Sequence, residues 1–380
     1  MAAGSVSGFT DNRFSAVSEA FEANLRSGAD VGASFAATVE GETVVDLWGG
    51  WADEAKTRPW DKDTIVNVYS TTKTMTALTA LLLADRGELD FSAPVARYWP
   101  EFAANGKAEI KVSHLMSHSS GLSGWKEQIT LEDLYDWDKV TSLLAAQAPF
   151  WQPGTAVGYH ATTQGFLVGE VVRRITGRSL GTVFREEIAD PLGADFHIGL
   201  SVEHDGRVAD LIPPPALLPE GFGEPSALMI NMMTNPPSNP LDTRTRAWRG
   251  AEIPAGGGHG NARSVAEIHA LLANGGVAKG KRFLSEAGCR KALEFQIEGK
   301  DLVLGIPAKF GLGFGLDPMI PLPGPNCLFW GGYGGSLIII DLDAHATYAY
   351  AMNKMGLTTI GDARGLGMAA AIWDVLAAGK

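Results

Sequence analysis

The chain has 380 residues, 45% of them hydrophobic and 19% charged, a composition that excludes a disordered chain and buries a sizeable core in one large composite domain or two lobes. A formal net charge of −12, with no basic run longer than Lys279-Gly280-Lys281-Arg282, argues against a nucleic-acid partner. No stretch reaches the roughly 18 apolar residues that a membrane span needs, and the two cysteines, Cys289 and Cys327, form no CxxC pair and read as free buried thiols.

Met1 to Phe14 is polar and Gly/Ser-rich, without the basic start and apolar run of a secretory signal, so the cytoplasm is the expected compartment. Phe14, Val17, Ala20, Phe21 and Leu25 recur at helical spacing over Arg13 to Arg26. Two β-rich runs follow, Ala33 to Glu40 and Thr43 to Leu47, split by Gly41-Glu42 as a hairpin turn and closed by Trp48-Gly49-Gly50-Trp51. Thr64 to Tyr69 leads into a helix over Thr71 to Arg86, with Met75, Leu78, Leu82 and Leu83 on its inner face and Gly87 as its stop.

The middle of the chain reads as helices joined by long loops, with Val140 to Gln147 and Thr163 to Arg174 as the clearest helical segments. Residues 211–242 are Pro-rich and aperiodic, the character of a functional wall or lid. Strands return at Gly311 to Leu316, Cys327 to Trp330, Leu337 to Leu342 and Thr347 to Met352, with a turn at Asp343-Ala344-His345, and a last helix covers about Ala363 to Leu376. This order predicts an α+β fold: an antiparallel sheet assembled from both chain ends, covered by terminal helices, with an inserted helical lobe. The expected division is an α/β domain of 1–70 and 261–380 around a mainly helical domain of 71–260.

Ser70-Thr71-Thr72-Lys73 is the central chemical signal. Residues three apart share a helix face, so the amine can reach the hydroxyl, and the helix start offers free N–H groups to an oxyanion. A serine hydroxyl needs a base beside it, and a lysine serves only if burial or charge lowers its pKa from about 10.4. Tyr159 follows a Pro153-Gly154 turn and can hold or relay a proton. Trp330-Gly331-Gly332-Tyr333-Gly334-Gly335-Ser336 runs into a strand, where glycine lets a main-chain N–H approach a ligand.

Ser-x-x-Lys, a loop tyrosine and a Lys-Thr-Gly-like triplet on a strand, in that order, resemble the class C β-lactamase and penicillin-binding-protein superfamily, and within it the family VIII carboxylesterases. The segments Val112 to Leu122, Gly154 to Gly177 and Gly256 to Ala262 join the likeness, which covers nearly the whole chain. The resemblance implies Ser70 as nucleophile, Lys73 and Tyr159 as base and proton relay, and the N–H groups of Ser70 and Tyr333 as the oxyanion hole. Trp330, Gly331, Gly332, Trp151 and His160 are the expected substrate contacts, with Phe150 beside Trp151 as an apolar wall. No cofactor and no metal are implied. Two departures stand out: the Tyr-x-Asn or Tyr-x-Ser of many members ends here in Ala161, and Trp330 occupies the place of a β-lactamase lysine.

The expected function is hydrolysis of short-chain carboxylic esters, with a small-molecule ester as the partner. The alternatives on the same machinery are a β-lactamase, a D-amino-acid peptidase or amidase, or an acyltransferase; a scaffold without turnover is the non-enzyme alternative. Gly177-Arg178-Ser179-Leu180-Gly181 matches Gly-x-Ser-x-Gly, but a helix and not a strand precedes it, so Ser179 reads as a turn residue. His114 and His118 lack the glutamate of a zinc helix. Gly256 to Gly260 is not a nucleotide fingerprint, and Asp341 and Asp343 read as solvated turn residues.

Overall fold

The computed structural model describes residues 5–216 and 224–378, so part of the expected lid, residues 217–223, lies outside the described residues. In chain order, the elements that matter here are β1 (Ser7–Thr10), α1 (Ser15–Ser27), β2 (Gly32–Val39), β3 (Glu42–Gly50), β4 (Val66–Asn67) and α2 (Thr72–Asp85). Then come α3 (Trp137–Ala146), α4 (Thr163–Thr176), β5 (Phe196–His197), α5 (Ala227–Thr234), β6 (His259–Gly260) and α6 (Ala262–Ala273). The chain ends with β7 (Ile297–Lys300), β8 (Pro307–Phe310), β9 (Cys327–Gly331), β10 (Leu337–Asp341), β11 (Ala346–Met352) and α7 (Ala363–Ala378).

The main sheet has six strands in the order β1–β3–β2–β11–β10–β9, all antiparallel. Its seam is the pairing of β2 with β11, from Ala33 opposite Met352 to Val39 opposite Ala346, so strands from both chain ends meet in one sheet as expected. Thr347 bonds the Ala266 carbonyl of α6, while its neighbour Tyr348 packs edge-on against Trp373 of α7. Consecutive strand residues point to opposite faces, so α6 covers one face and α7, with α1 packed on it, covers the other. Two covered faces explain why β10 and β11 are buried at every position and read as unbroken apolar runs.

Several elements differ from the sequence expectation. The polar N-terminal segment contributes the edge strand β1, because backbone pairing with β3 needs no apolar side chains. The hairpin turn falls on Glu40 and Gly41, not Gly41-Glu42; both have positive φ, 51° and 81°, as a two-residue turn matched to the strand twist requires. Trp48 to Gly50 continue β3 instead of closing the hairpin. The strand expected at Gly311 to Leu316 lies earlier, at β8, and within 311–316 the sheet-like contacts are isolated bridges from Gly315 to Phe310 and Phe329. Within the Pro-rich segment, α5 forms behind a Ser226 cap.

Helix α2 is buried on all sides from Thr72 to Leu83, not on one inner face. Its threonines are tolerated there because each hydroxyl bonds a carbonyl: Thr74 to Thr71, Thr76 to Pro254 and Thr79 to Met75. A small three-stranded ribbon, β4–β6–β5, ties the approach to α2 to the 258–260 segment.

Candidate active site

The chain enters α2 through a constrained turn. Tyr69 has φ +42°, a conformation a bulky side chain rarely takes. Asn67 holds it there: its Oδ1 accepts the Tyr69 N–H at 3.1 Å, and its amide donates to Gly256 O at 3.1 Å. Val68 N donates to Gly258 O at 3.0 Å, and Thr72 Oγ1 accepts the Gly258 N–H at 2.9 Å. The glycine-rich 256–260 segment thus braces the helix start. Ser70 follows in a turn of 3₁₀ helix, Tyr69–Thr71, and among the described residues its N–H has no acceptor, as befits a helix start.

Three side chains converge on this serine. Lys73 Nζ lies 3.0 Å from Ser70 Oγ, and Tyr159 Oη donates to the same oxygen at 2.6 Å. Lys73 Nζ also donates to the Ala161 carbonyl at 2.6 Å and the Ala255 carbonyl at 2.8 Å. Burial pushes the Lys73 amine well below the ordinary lysine value. Burial pushes the Tyr159 phenol up, against the opposing hydrogen bond to Ser70 and the nearby Trp330 N–H. A neutral amine has two hydrogens and one lone pair. The two carbonyls take the hydrogens, which leaves the lone pair for the Ser70 proton.

Tyr159 is fixed from behind by Asp301. Its Oδ1 accepts the backbone N–H groups of Tyr159 at 3.1 Å, Val303 at 2.8 Å and Leu304 at 2.8 Å. Asp301 and the carbonyls of Ala161 and Ala255 escaped the sequence reading. A backbone carbonyl has no side-chain signature, and nothing local marks Asp301 as a partner of Tyr159.

The remaining candidates divide. Tyr333 carries an N–H with no acceptor among the described residues, and its ring packs on Tyr69 with centroids 5.7 Å apart. Gly331 and Gly332 do not open space for a ligand: a side chain on Gly331 would strike the Ile360-Gly361 backbone, one on Gly332 would strike Val68 O, and the Gly332 N–H is taken by Ser336 O at 2.8 Å. Their close approach is to the protein's own chain. His160 is also corrected from a substrate contact to a buried brace. Its Nδ1 donates to Gly158 O at 2.6 Å, so its Nε2 accepts from Leu122 N–H and the Ser120 hydroxyl, and burial lowers its pKa to about 3. Trp330 is 2% exposed and faces Tyr159, His118 and Phe310 instead of a substrate. Trp151 is half-buried, spends its N–H on Ala156 O at 3.0 Å and lies on Gly158, one residue from Tyr159.

The competing motifs take structural places. Ser179 caps the helix Leu180–Phe184 and donates to Glu252 at 2.6 Å. His114 Nδ1 accepts the Lys111 N–H, and His118 Nδ1 accepts the His160 N–H. Among the described residues no three His, Cys, Asp or Glu side chains gather as a metal site. Asp341 accepts the N–H groups of Asp343 and Ala344, as a turn residue does, but it is buried at the end of β10 and not solvated as expected, because those bonds satisfy its carboxylate.

A helix-borne serine and lysine facing a loop tyrosine, beside the last strands of an antiparallel sheet, form the candidate site of a β-lactamase-like fold. The Beta-lactamase family profile matches residues 17–371, and the chain belongs to that family. The esterase/beta-lactamase LipL of Mycobacterium tuberculosis is 34% identical over 369 residues, covering 92% of this chain and 83% of that protein. A solved family VIII carboxylesterase superposes with a TM-score of 0.93 at 42% identity, covering 98% of this chain and 100% of the other. A penicillin-binding-protein homologue from Caulobacter crescentus does so with a TM-score of 0.93 at 38% identity and the same coverage. The protein is therefore an esterase/β-lactamase-fold hydrolase, close to the family VIII carboxylesterases.

Proposed function

We propose that the protein hydrolyses short-chain carboxylic esters through an acyl-enzyme on Ser70. The observation that carries this reading is the placement of one serine oxygen between a buried amine and a buried phenol, at 3.0 and 2.6 Å. Neutral Lys73 takes the Ser70 proton as Oγ bonds the ester carbonyl carbon. The N–H groups of Ser70 and Tyr333 receive the oxyanion. As the carbon–alkoxide bond breaks, the alkoxide takes the Tyr159 proton, and the Lys73 ammonium returns a proton to Tyr159. Water then repeats the sequence on the acyl-enzyme, so every step closes on groups the chain supplies.

Ser70→Ala tests the reading. It should fold normally and lose turnover by about 10⁴-fold or more, the scale of a lost nucleophile. A serine-reactive phosphonate should mark Ser70 in the wild type. Ser179→Ala is the control: it should keep its activity while losing about 1 kcal/mol of helix capping. A Ser70→Ala enzyme retaining a tenth of wild-type kcat would end the proposal.

A second reading, β-lactam hydrolysis as a side activity, is favoured by the LipL similarity. With Trp330 in place of a cation, the site lacks a charge-assisted contact of about 1.5–3 kcal/mol for a β-lactam carboxylate. Neutral p-nitrophenyl acetate or butyrate should exceed a cephalosporin in kcat/KM by about 10- to 150-fold; equal values would make the enzyme a β-lactamase. The partner in the ester-hydrolase reading is a small ester, and the two unpaired buried cysteines support work in a reducing cytoplasm.

A further inference from the structure

The four glycines of the 256–260 segment are not alike. A β-carbon on Gly257 would press on Ile253 at 3.0 Å, one on Gly258 would strike the Thr72 hydroxyl, and one on Gly260 would strike the Phe196 ring. These three are small because the protein's own chain fills the space beside them. Gly256 differs. A β-carbon there would lie in ordinary contact with Tyr69 Cδ1, at 3.9 Å, and meet nothing else among the described residues. Nor does Gly256 have a positive φ that would demand glycine. Neither packing nor backbone conformation accounts for its missing side chain. Its place does: Gly256 follows Ala255, whose carbonyl holds Lys73 Nζ at 2.8 Å, and its own carbonyl accepts the Asn67 amide that fixes the turn before Ser70. It is half-buried, so the space over it opens beside the nucleophile.

Two carbonyls grip the Lys73 amine, that of Ala161 from the Tyr159 loop and that of Ala255 from the Gly256 segment, so these segments are separate walls around the serine. The alcohol of the ester faces the Tyr159 wall, because its oxygen takes the Tyr159 proton. That leaves the acyl group for the Gly256 wall. The floor there is the Tyr69 ring, held edge-on by Trp248 and Tyr333 with centroids 6.3 and 5.7 Å away. Gly256 is one residue from a carbonyl that holds the base, so the space over it adjoins the first carbons of the acyl group and not its far end. We infer that Gly256 sets the width of the acyl site, and that the site admits short acyl groups branched at the carbon next to the carbonyl, such as isobutyryl and trimethylacetyl, seated on the Tyr69 ring. Branching there adds width without length, in the volume that any side chain at position 256 would occupy. The inference deepens the Ser70 ester-hydrolase reading and rests on it.

The test holds the alcohol constant and varies the acid, with p-nitrophenyl acetate, isobutyrate and trimethylacetate. In Gly256→Val, kcat/KM for the trimethylacetate relative to the acetate should fall by about tenfold or more below the wild-type ratio, the scale on which a pocket reads a methyl group or two. The isobutyrate should fall between them. A second pair holds the acid constant, 1-naphthyl and p-nitrophenyl acetate, and its ratio should not move. Equal losses on all three acids, no loss on any, or a shift in the alcohol ratio instead, overturns the proposal, because general damage to the fold does not read the acyl branch. Should Gly256→Val fail to fold, Gly256→Cys carries a smaller side chain through folding, and methyl methanethiosulfonate then enlarges it. Cys289 and Cys327 are each 1% exposed and sheltered from the reagent. The trimethylacetate-to-acetate ratio should drop on modification and return with dithiothreitol; an unchanged ratio overturns the proposal equally. Turnover of p-nitrophenyl acetate by Ser70→Ala would instead defeat the hydrolase reading, so the two failures are distinguishable.

Discussion

Gly332 packs directly on the carbonyl of Val68, leaving no room for a β-carbon between them. Val68 is two residues before Ser70, the proposed nucleophile, and Gly332 is one residue before the Tyr333 N–H. Ser336 locks the same approach, donating to Val68 O at 2.8 Å and lying 2.9 Å from Thr71 Oγ1. The strand turn and the helix start are therefore one unit, and the N–H groups of Ser70 and Tyr333, the proposed oxyanion donors, are set by backbone contact.

Gly332→Ala should force these segments apart. The expected outcome is a loss of about 1–3 kcal/mol in stability from overpacking, with a fall in kcat at nearly constant KM. Thermal unfolding and steady-state kinetics on one short-chain ester check both. An alanine variant with wild-type kcat would show that the spacing of Ser70 and Tyr333 does not depend on this contact.

Asp301 offers a cleaner separation of structure from chemistry, since it touches only the backbone of Tyr159. Asp301→Ala leaves three N–H groups without their acceptor, two of them buried, those of Tyr159 and Val303, at about 1–3 kcal/mol for each buried one. It should fold poorly and lose activity. Asp301→Asn retains the accepting oxygen and should recover most of both. Comparable damage from the two substitutions, seen in urea unfolding and in kcat, would mean that the carboxylate charge matters and not its acceptor geometry.

The burial of Lys73 sets the sign of the pH–rate profile. In the proposed mechanism the neutral amine is the base, so activity should rise as pH passes upward through the apparent pKa of the Ser70–Lys73–Tyr159 unit. Because that value is depressed, the rise should be complete well below the ordinary lysine value of about 10.4. Lys73→Ala and Tyr159→Phe should each cost several orders of magnitude, and the double variant little more than either. A profile still climbing at about pH 10, or clean additivity of the two losses, would contradict a shared proton.

Acid should destabilise the fold through its buried histidines. His118, His160, His259 and His269 are enclosed and held neutral, with burial taking His160 and His259 to about 3 and His269 to about 4. The unfolded chain binds these protons below about pH 6.5 while the folded chain does not, so stability is lost as pH falls from there toward 3–4. Each site contributes up to about 1.4 kcal/mol per pH unit. Urea midpoints between pH 7 and 4.5 should show this slope. His269→Leu, at a residue whose ring bonds the Val265 carbonyl of its own helix, should flatten it by one proton.

The local chemistry of this protein is written in its sequence because helix and strand periods are short. The i, i+3 spacing puts Ser70 and Lys73 on one helix face, Gly177 stops α4 with φ +69°, and unbroken apolar runs mark the doubly covered strands β10 and β11. Likeness to a known family extended that reading to Tyr159 and Tyr333. Tertiary packing alone decided the rest. It brought the Tyr159 phenol to Ser70 across 89 residues and the Ala255 carbonyl to Lys73 across 182. It filled the space beside Gly331 and Gly332 with protein, and it turned His160 and Trp330 inward, away from substrate. Contacts of that kind join segments far apart in the chain, and several run through backbone atoms that every residue shares, so no local pattern of side chains can announce them.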